Sequence, residues 1–163
     1  MIYSIKQHKE IPVNVQKDVY KTFTRYIVKD KANSSQNIGY VDLKDSKNGA
    51  MVLYIENQQP KSYKQFGKIA DQIELEHCLN RGIEKPYIQS EAASGTLLQH
   101  FKRGKRYTDE SINIYLSYLC ETLQKGERAY TSFLRSQKMY MPINMINELK
   151  EKIKLNPLLK GIK

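Results

Sequence analysis

Three alternating runs in the first 57 residues constrain this chain more than any other feature. "YKTFTRYIV" (20–28) sets Tyr20, Thr22, Thr24, Tyr26 and Val28 against Lys21, Phe23, Arg25 and Ile27. That period of two, in β-branched and aromatic residues, is the pattern of a half-buried strand. "IGYVDLK" (38–44) and "AMVLYIEN" (50–57) supply two more strands. Between the first two, "KDKANSSQN" is rich in turn formers, with its loop tip at 33–36. Between the last two, Asn48-Gly49 is a hairpin signal because both residues accept positive φ. These runs predict an antiparallel meander whose third strand, the most apolar, is central.

After Pro60 the period changes. Phe66, Ile69, Ala70, Ile73 and His77 fall at helical spacing, and Leu75, Cys78 and Leu79 widen the apolar surface, so this helix should be covered on more than one side. Asn80-Arg81-Gly82 ends it. "KPYIQSEA" reads as a short strand, "ASGTLLQHFKRG" as a short helix with Ser94 at its N-cap and Gly104 past its end, and "KRY" as the start of another strand. From Thr108 the remainder reads as helical, with Asp109 and Glu110 suited to a first turn. Ile112, Tyr115, Leu116, Leu119 and Leu123 form a stripe that Lys125-Gly126 breaks. A second segment carries Ala129, Tyr130, Phe133 and Leu134. Pro142 opens a third, with Ile146, Leu149 and Ile153 on one side and Lys150, Lys152 and Lys154 on another, and Asn156-Pro157 closes it. The expected fold is α/β: a mixed-sheet core over 1–107, with a helical C-terminal extension over 108–163 packed on the same domain.

The chain's 163 residues suffice for one domain with a real core. No run approaches a membrane span, and the start has no apolar signal region, so the expectation is a cytoplasmic protein without membrane contact. Cys78 and Cys120 form no CxxC pair and are expected to be reduced. Net charge is +10, and residues 102–163 hold 13 Lys/Arg against 6 Asp/Glu. A basic last third suits an acidic partner, either nucleic acid or a nucleotide-like cofactor, or else is only a solvated surface.

The order of elements resembles the core of GNAT-type N-acyltransferases, which use acetyl-CoA or another acyl-CoA and no metal. In that family the central strand leads into a loop of the form Gln/Arg-x-x-Gly-x-Gly/Ala at a helix start. Backbone amides and the helix dipole there hold a pyrophosphate. The matching stretch here is Gln65, Phe66, Gly67, Lys68, Ile69 and Ala70. Gln65 and Ala70 fit its ends, Lys68 stands where the middle glycine belongs, and Gly67 lies one place early. "LNRGI" (79–83) looks like the family's helix exit, and "LLQHFKRGKRY" (97–107) like its late segment. Phe101 falls at the tyrosine that in many members protonates the leaving thiolate, a task phenylalanine cannot perform. The resemblance covers about residues 20–107. It leaves little room for the family's N-terminal helix pair between Ile2 and Tyr20, and helices are expected in place of its C-terminal strand hairpin.

What the resemblance implies is acyl transfer to an amine by direct attack, on an RNA, a protein or another acceptor. Glu56, on the central strand, is then the candidate base, and Tyr107 the candidate acid replacing the missing tyrosine. The alternative is a non-catalytic nucleic-acid-binding protein, for tRNA or DNA, on a degenerate GNAT-like scaffold. There Lys102, Arg103, Lys105 and Arg106, between Phe101 and Tyr107, would combine phosphate contacts with base stacking. A third reading is a protein-interaction module using the apolar faces of the late helices. Glu74-x-x-His77 has the spacing of half a di-iron site, but no second half exists. Both cysteines sit in apolar helical contexts that favour inert thiols.

Overall fold

The computed structural model describes residues 1–91, 97–122 and 137–162. The chain opens with β1 (Ile2–Ser4), β2 (Lys9–Ile11), β3 (Val13–Val19), β4 (Thr24–Asp30), β5 (Asn33–Ser46) and β6 (Gly49–Asn57). β7 (Tyr63–Lys64) leads into α1 (Phe66–Asn80). There follow β8 (Tyr87–Glu91), α2 (Leu97–Arg103), β9 (Arg106–Tyr107), α3 (Glu110–Thr122), β10 (Lys138–Tyr140) and α4 (Ile143–Leu155). Seven strands form one sheet in the order β3-β4-β5-β6-β8-β10-β9, antiparallel throughout except where β6 meets β8. A small second sheet has the order β2-β1-β7. The mixed α/β class is as the sequence suggested.

Several boundaries differ from the sequence reading. The alternation at 20–23 is a turn between β3 and β4, closed by Tyr20 N–H donating to the Phe23 carbonyl, with the two rings stacked 4.7 Å apart. The tip expected at 33–36 is the first part of β5; the turn is Lys31-Ala32, where the Ala32 amide donates to Asp30. The β5–β6 loop is Lys47-Asn48, and neither Asn48 nor Gly49 takes positive φ. Gly49 serves close approach instead, since a Cβ there would meet the Tyr87 backbone. β10 is the main correction, because a strand from the extension pairs with β8 and β9. On α3, Leu116 is buried, whereas Tyr115 is exposed rather than part of the stripe. Ser94, Leu123, the 125–126 break and the 129–134 segment lie outside the described residues.

One face of the sheet carries Tyr26, Val28, Val41, Leu43, Val52 and Ile88 into a core with Ile69, Ala70 and Ile73 of α1 and Met145, Ile146 and Leu149 of α4. A second cluster joins Leu97 and Phe101 of α2, Tyr107, Leu116 and Met139. Charges link the two. Lys105 Nζ lies 2.9 Å from Glu74 Oε1 and 3.4 Å from Asp71 Oδ1, and Arg103 Nε donates to Asp71 Oδ2 at 2.7 Å. Lys105 and Glu74 are both 0% exposed.

The sheet opens at one place. Asp42 pairs with Tyr54 but Leu43 with Val52, leaving Leu53 as an extra residue that bends β6. The parallel ladder to β8 stops at Val52, opposite Ser90. Beyond it, among the described residues, β6 keeps β5 as its single strand neighbour. Among the described residues no helix is long and apolar enough to cross a membrane.

Removing one partner from a buried ion cluster leaves an uncompensated charge. Lys105→Met is therefore expected to destabilise the protein by about 3 kcal/mol in urea unfolding, and adding Glu74→Leu to recover much of that loss. A single variant as stable as wild type would show that the cluster does not join the two cores.

Candidate active site

The segment entering α1 is held from several sides. β7 pairs with β1, Tyr63 Oη donates to Asp30 at 3.1 Å, and Asn57 Nδ2 donates to the Tyr63 carbonyl at 2.9 Å. So fixed, Gln65 caps α1 at φ 67° and ψ 27°, in the left-handed region, and no side chain caps the helix. A Cβ is crowded there, a strain of about 1 kcal/mol. The Lys68 amide turns back to the Gln65 carbonyl at 3.1 Å, while the Phe66 and Gly67 amides find no acceptor among the described residues.

A cavity of about 500 Å³ sits at this mouth. Its walls are Ile55 and Asn57 on the open stretch of β6, Gln65 to Lys68, and Gln99, His100, Lys102 and Arg103 of α2. Three cations and no carboxylate line it. Gly67 is needed here, because a Cβ would stand 2.5 Å from Arg103 Cζ and Nη1. His100 Nδ1 accepts from Arg103 Nη2 at 3.0 Å. Burial, then the charges of Lys105 and Arg103, push His100 down to about 3, so the ring is neutral with its proton on Nε2. Behind Arg103, burial pushes the Glu74 carboxyl up to about 7 against the pull of Lys105. Burial works against the charge of Lys105, but Glu74 and Asp71 outweigh it and hold its pKa above the ordinary value.

No protein-family model and no curated sequence matches the chain. Its structure is similar to that of an IAA acetyltransferase from Bacillus cereus ATCC 14579, with a TM-score of 0.51 and 14% identity over 80% of this chain and 99% of that one. The likeness is one of fold: the mixed α/β arrangement is shared with an acetyltransferase.

Within this fold the expected site residues separate. Gln65, Phe66, Gly67 and Lys68 line the cavity, whereas Ile69 and Ala70 belong to the core. Glu56 lies on β6 between Ile55 and Asn57, which line the cavity, so strand alternation turns it to the opposite face. There it stands opposite Tyr40 on β5, whose hydroxyl pKa is raised first by burial and then by Glu56. Tyr107 is sealed in the second cluster with Phe101, its hydroxyl without a partner among the described residues and pushed up to about 12 by burial. It lines no part of the cavity and does not meet Glu56.

The basic run at 102–106 is not the open nucleic-acid surface the sequence suggested. Arg103 and Lys105 are held by Asp71 and Glu74. Arg106 donates to the Phe101 and Lys105 carbonyls at 2.7 and 2.8 Å and lies 4.0 Å over the Phe101 ring. Lys102 alone of the four is exposed. Glu74 and His77 share no ligand, since His77 sits between Tyr26 at 2.7 Å and Asp45 at 2.6 Å. Burial pushes the Cys78 thiol up to about 12, away from the reactive range. The sequence reading missed the pairing of Asp71 and Glu74 with Arg103 and Lys105, and of Arg103 with His100, although α1 carries Asp71 and Glu74 and α2 carries His100 and Arg103 at i, i+3 spacing.

Gln65→Gly relieves the left-handed strain and is expected to raise stability by about 1 kcal/mol in urea unfolding; a loss would contradict the strain. Glu74 and His100 make opposite contributions to the pH dependence. Glu74, raised from 4.5 to about 7, stabilises the fold while protonated, and that contribution is lost as pH rises through 7. His100, lowered from 6.5 to about 3, stabilises the fold while neutral, and that contribution is lost as pH falls from 6.5 towards 3. Glu74→Gln removes only the first. From pH 6.5 down to 4.5 its urea midpoint should fall more steeply than that of wild type, and parallel curves would contradict the assignment.

Proposed function

We propose that the protein transfers an acyl group from an acyl-CoA, acetyl-CoA in the simplest case, to an amine. The observation that carries this reading is the cavity of about 500 Å³ joining a stretch of β6 whose one edge has no strand partner among the described residues to an uncapped, cation-lined helix mouth. An extended arm with amide groups suits an open strand edge, where backbone donors and acceptors await a partner. A diphosphate suits free amides at a helix N-terminus with Lys68, Lys102 and Arg103 around them.

In this reading the amine nitrogen attacks the thioester carbonyl carbon, negative charge develops on the carbonyl oxygen, and the C–S bond then breaks. Backbone N–H groups on the open edge of β6 polarise that carbonyl. With the thioester carbonyl at the open edge of β6, the amine approaches from the strand face opposite the cavity, where its proton passes to the Glu56 carboxylate, directly or through one water. The CoA thiolate leaves along the cavity and takes its proton from water. The RNA or protein nature of the acceptor has no counterpart in the cavity, and the amine class alone is proposed.

Acetyl-CoA should raise the thermal midpoint, since a ligand binding only the folded state stabilises it by mass action. Gly67→Asp, which sets a carboxylate at the mouth and displaces Arg103, should abolish that shift. Glu56→Gln should keep the shift while lowering CoA release with primary amines by about 10²- to 10⁴-fold. No shift with millimolar acetyl-CoA on the wild-type protein would end this reading.

A further inference from the structure

Arg103 is built into the mouth of α1 rather than laid over it. Nε donates to Asp71 Oδ2 at 2.7 Å and Nη2 to His100 Nδ1 at 3.0 Å, which fixes the guanidinium plane. Nη1 has no partner among the described residues and lies against Gly67, where a Cβ would come within 2.5 Å. Its two N–H groups therefore share a space with the free Phe66 and Gly67 amides. His100 is 9% exposed and lines the same cavity, and its Nε2 has no partner among the described residues. Lys105 also reaches Asp71, at 3.4 Å, so Asp71 stays neutralised when Arg103 turns its charge to a ligand. Lys68, by contrast, is an exposed ammonium whose single tether is Gln65 Oε1 at 3.4 Å.

We propose that Arg103 is the specificity-determining residue of this mouth: its guanidinium, with the neutral Nε2–H of His100 beside it, selects a thioester carrying a diphosphate over the same acyl-pantetheine without one. The proposal rests on the acyl-CoA reading above. It replaces the loop's missing middle glycine by a cation from the next helix, fixed in a planar fork that matches phosphate oxygens. No bond is made or broken in this step.

The test is calorimetric titration of the wild-type, Arg103→Lys and Arg103→Met proteins with acetyl-CoA and with S-acetyl-pantetheine. Arg103→Met should lose about ten- to a hundredfold in affinity for acetyl-CoA, the range of a charge-assisted pair, and leave the pantetheine ester unchanged. Arg103→Lys keeps a cation beside Asp71, and with it the fold, yet should lose most of the preference because an ammonium has no fork. If Arg103→Met fails to fold, Arg103→Lys decides. Equal losses for both ligands would assign Arg103 a structural role and overturn the proposal, as would an unchanged preference in Arg103→Lys. Wild-type protein that binds both esters equally keeps the acyl-CoA cavity but refutes phosphate selection, and binding of neither removes both.

Discussion

Taking Lys105 and Glu74 wholly out of water is unfavourable for either alone. The fold accepts it because they sit 2.9 Å apart, with Asp71 and Arg103 completing the group. Two carboxyl groups come from α1, and two cations from the end of α2 and the residue before β9. The cluster therefore joins two apolar cores that share no residue, and it sets where α2 stands against the first turn of α1. That placement gives the cavity its far wall. Glu74 Oε2 has no partner, which fits a carboxyl driven up to about 7 by burial.

The near walls come from two local irregularities. An extra residue at Leu53 bends β6 where its parallel partner stops, leaving one edge of the strand without a partner among the described residues. Gln65 then holds a left-handed backbone that a glycine would adopt without strain, and α1 begins with no side-chain cap. A strand without a second neighbour and a helix without a cap each leave polar backbone groups unsatisfied. Both lie on one cavity beside three cations, Lys68, Lys102 and Arg103.

Much of the frame was legible in the residues. Period-two runs gave β6 nearly to its ends and the later part of β5, whose first five residues were read as loop, and the helical spacing from Phe66 with the stop at Asn80-Arg81-Gly82 gave α1. The first run was placed too early because Tyr20 and Phe23 alternate like strand residues but stack across a turn. β10 escaped because three residues, Lys138 to Tyr140, are too few to show a period, and their pairing is settled by β8 and β9. Within the site, the mouth at 65–68 was readable as a glycine-containing helix start. The fates of Arg103 and Lys105 were not, because the carboxyl groups that hold them lie 31 and 32 residues earlier in the chain. In sequence such a run is indistinguishable from a solvated basic patch. Tyr107 was likewise chosen for its chemistry, whereas its position in a closed apolar cluster depends on α2, α3 and β10 together.

The central claim, that the mouth of α1 and the open edge of β6 form one coenzyme site, is tested most directly by titrating ¹⁵N-labelled protein with CoA and following backbone amide shifts. The account predicts the largest changes at Phe66, Gly67 and Lys68 together with Ile55 and Asn57, saturating with one common dissociation constant. Changes confined to other parts of the molecule, such as the Tyr26, Asp45 and His77 cavity at the far end of α1, or none at all, would contradict it.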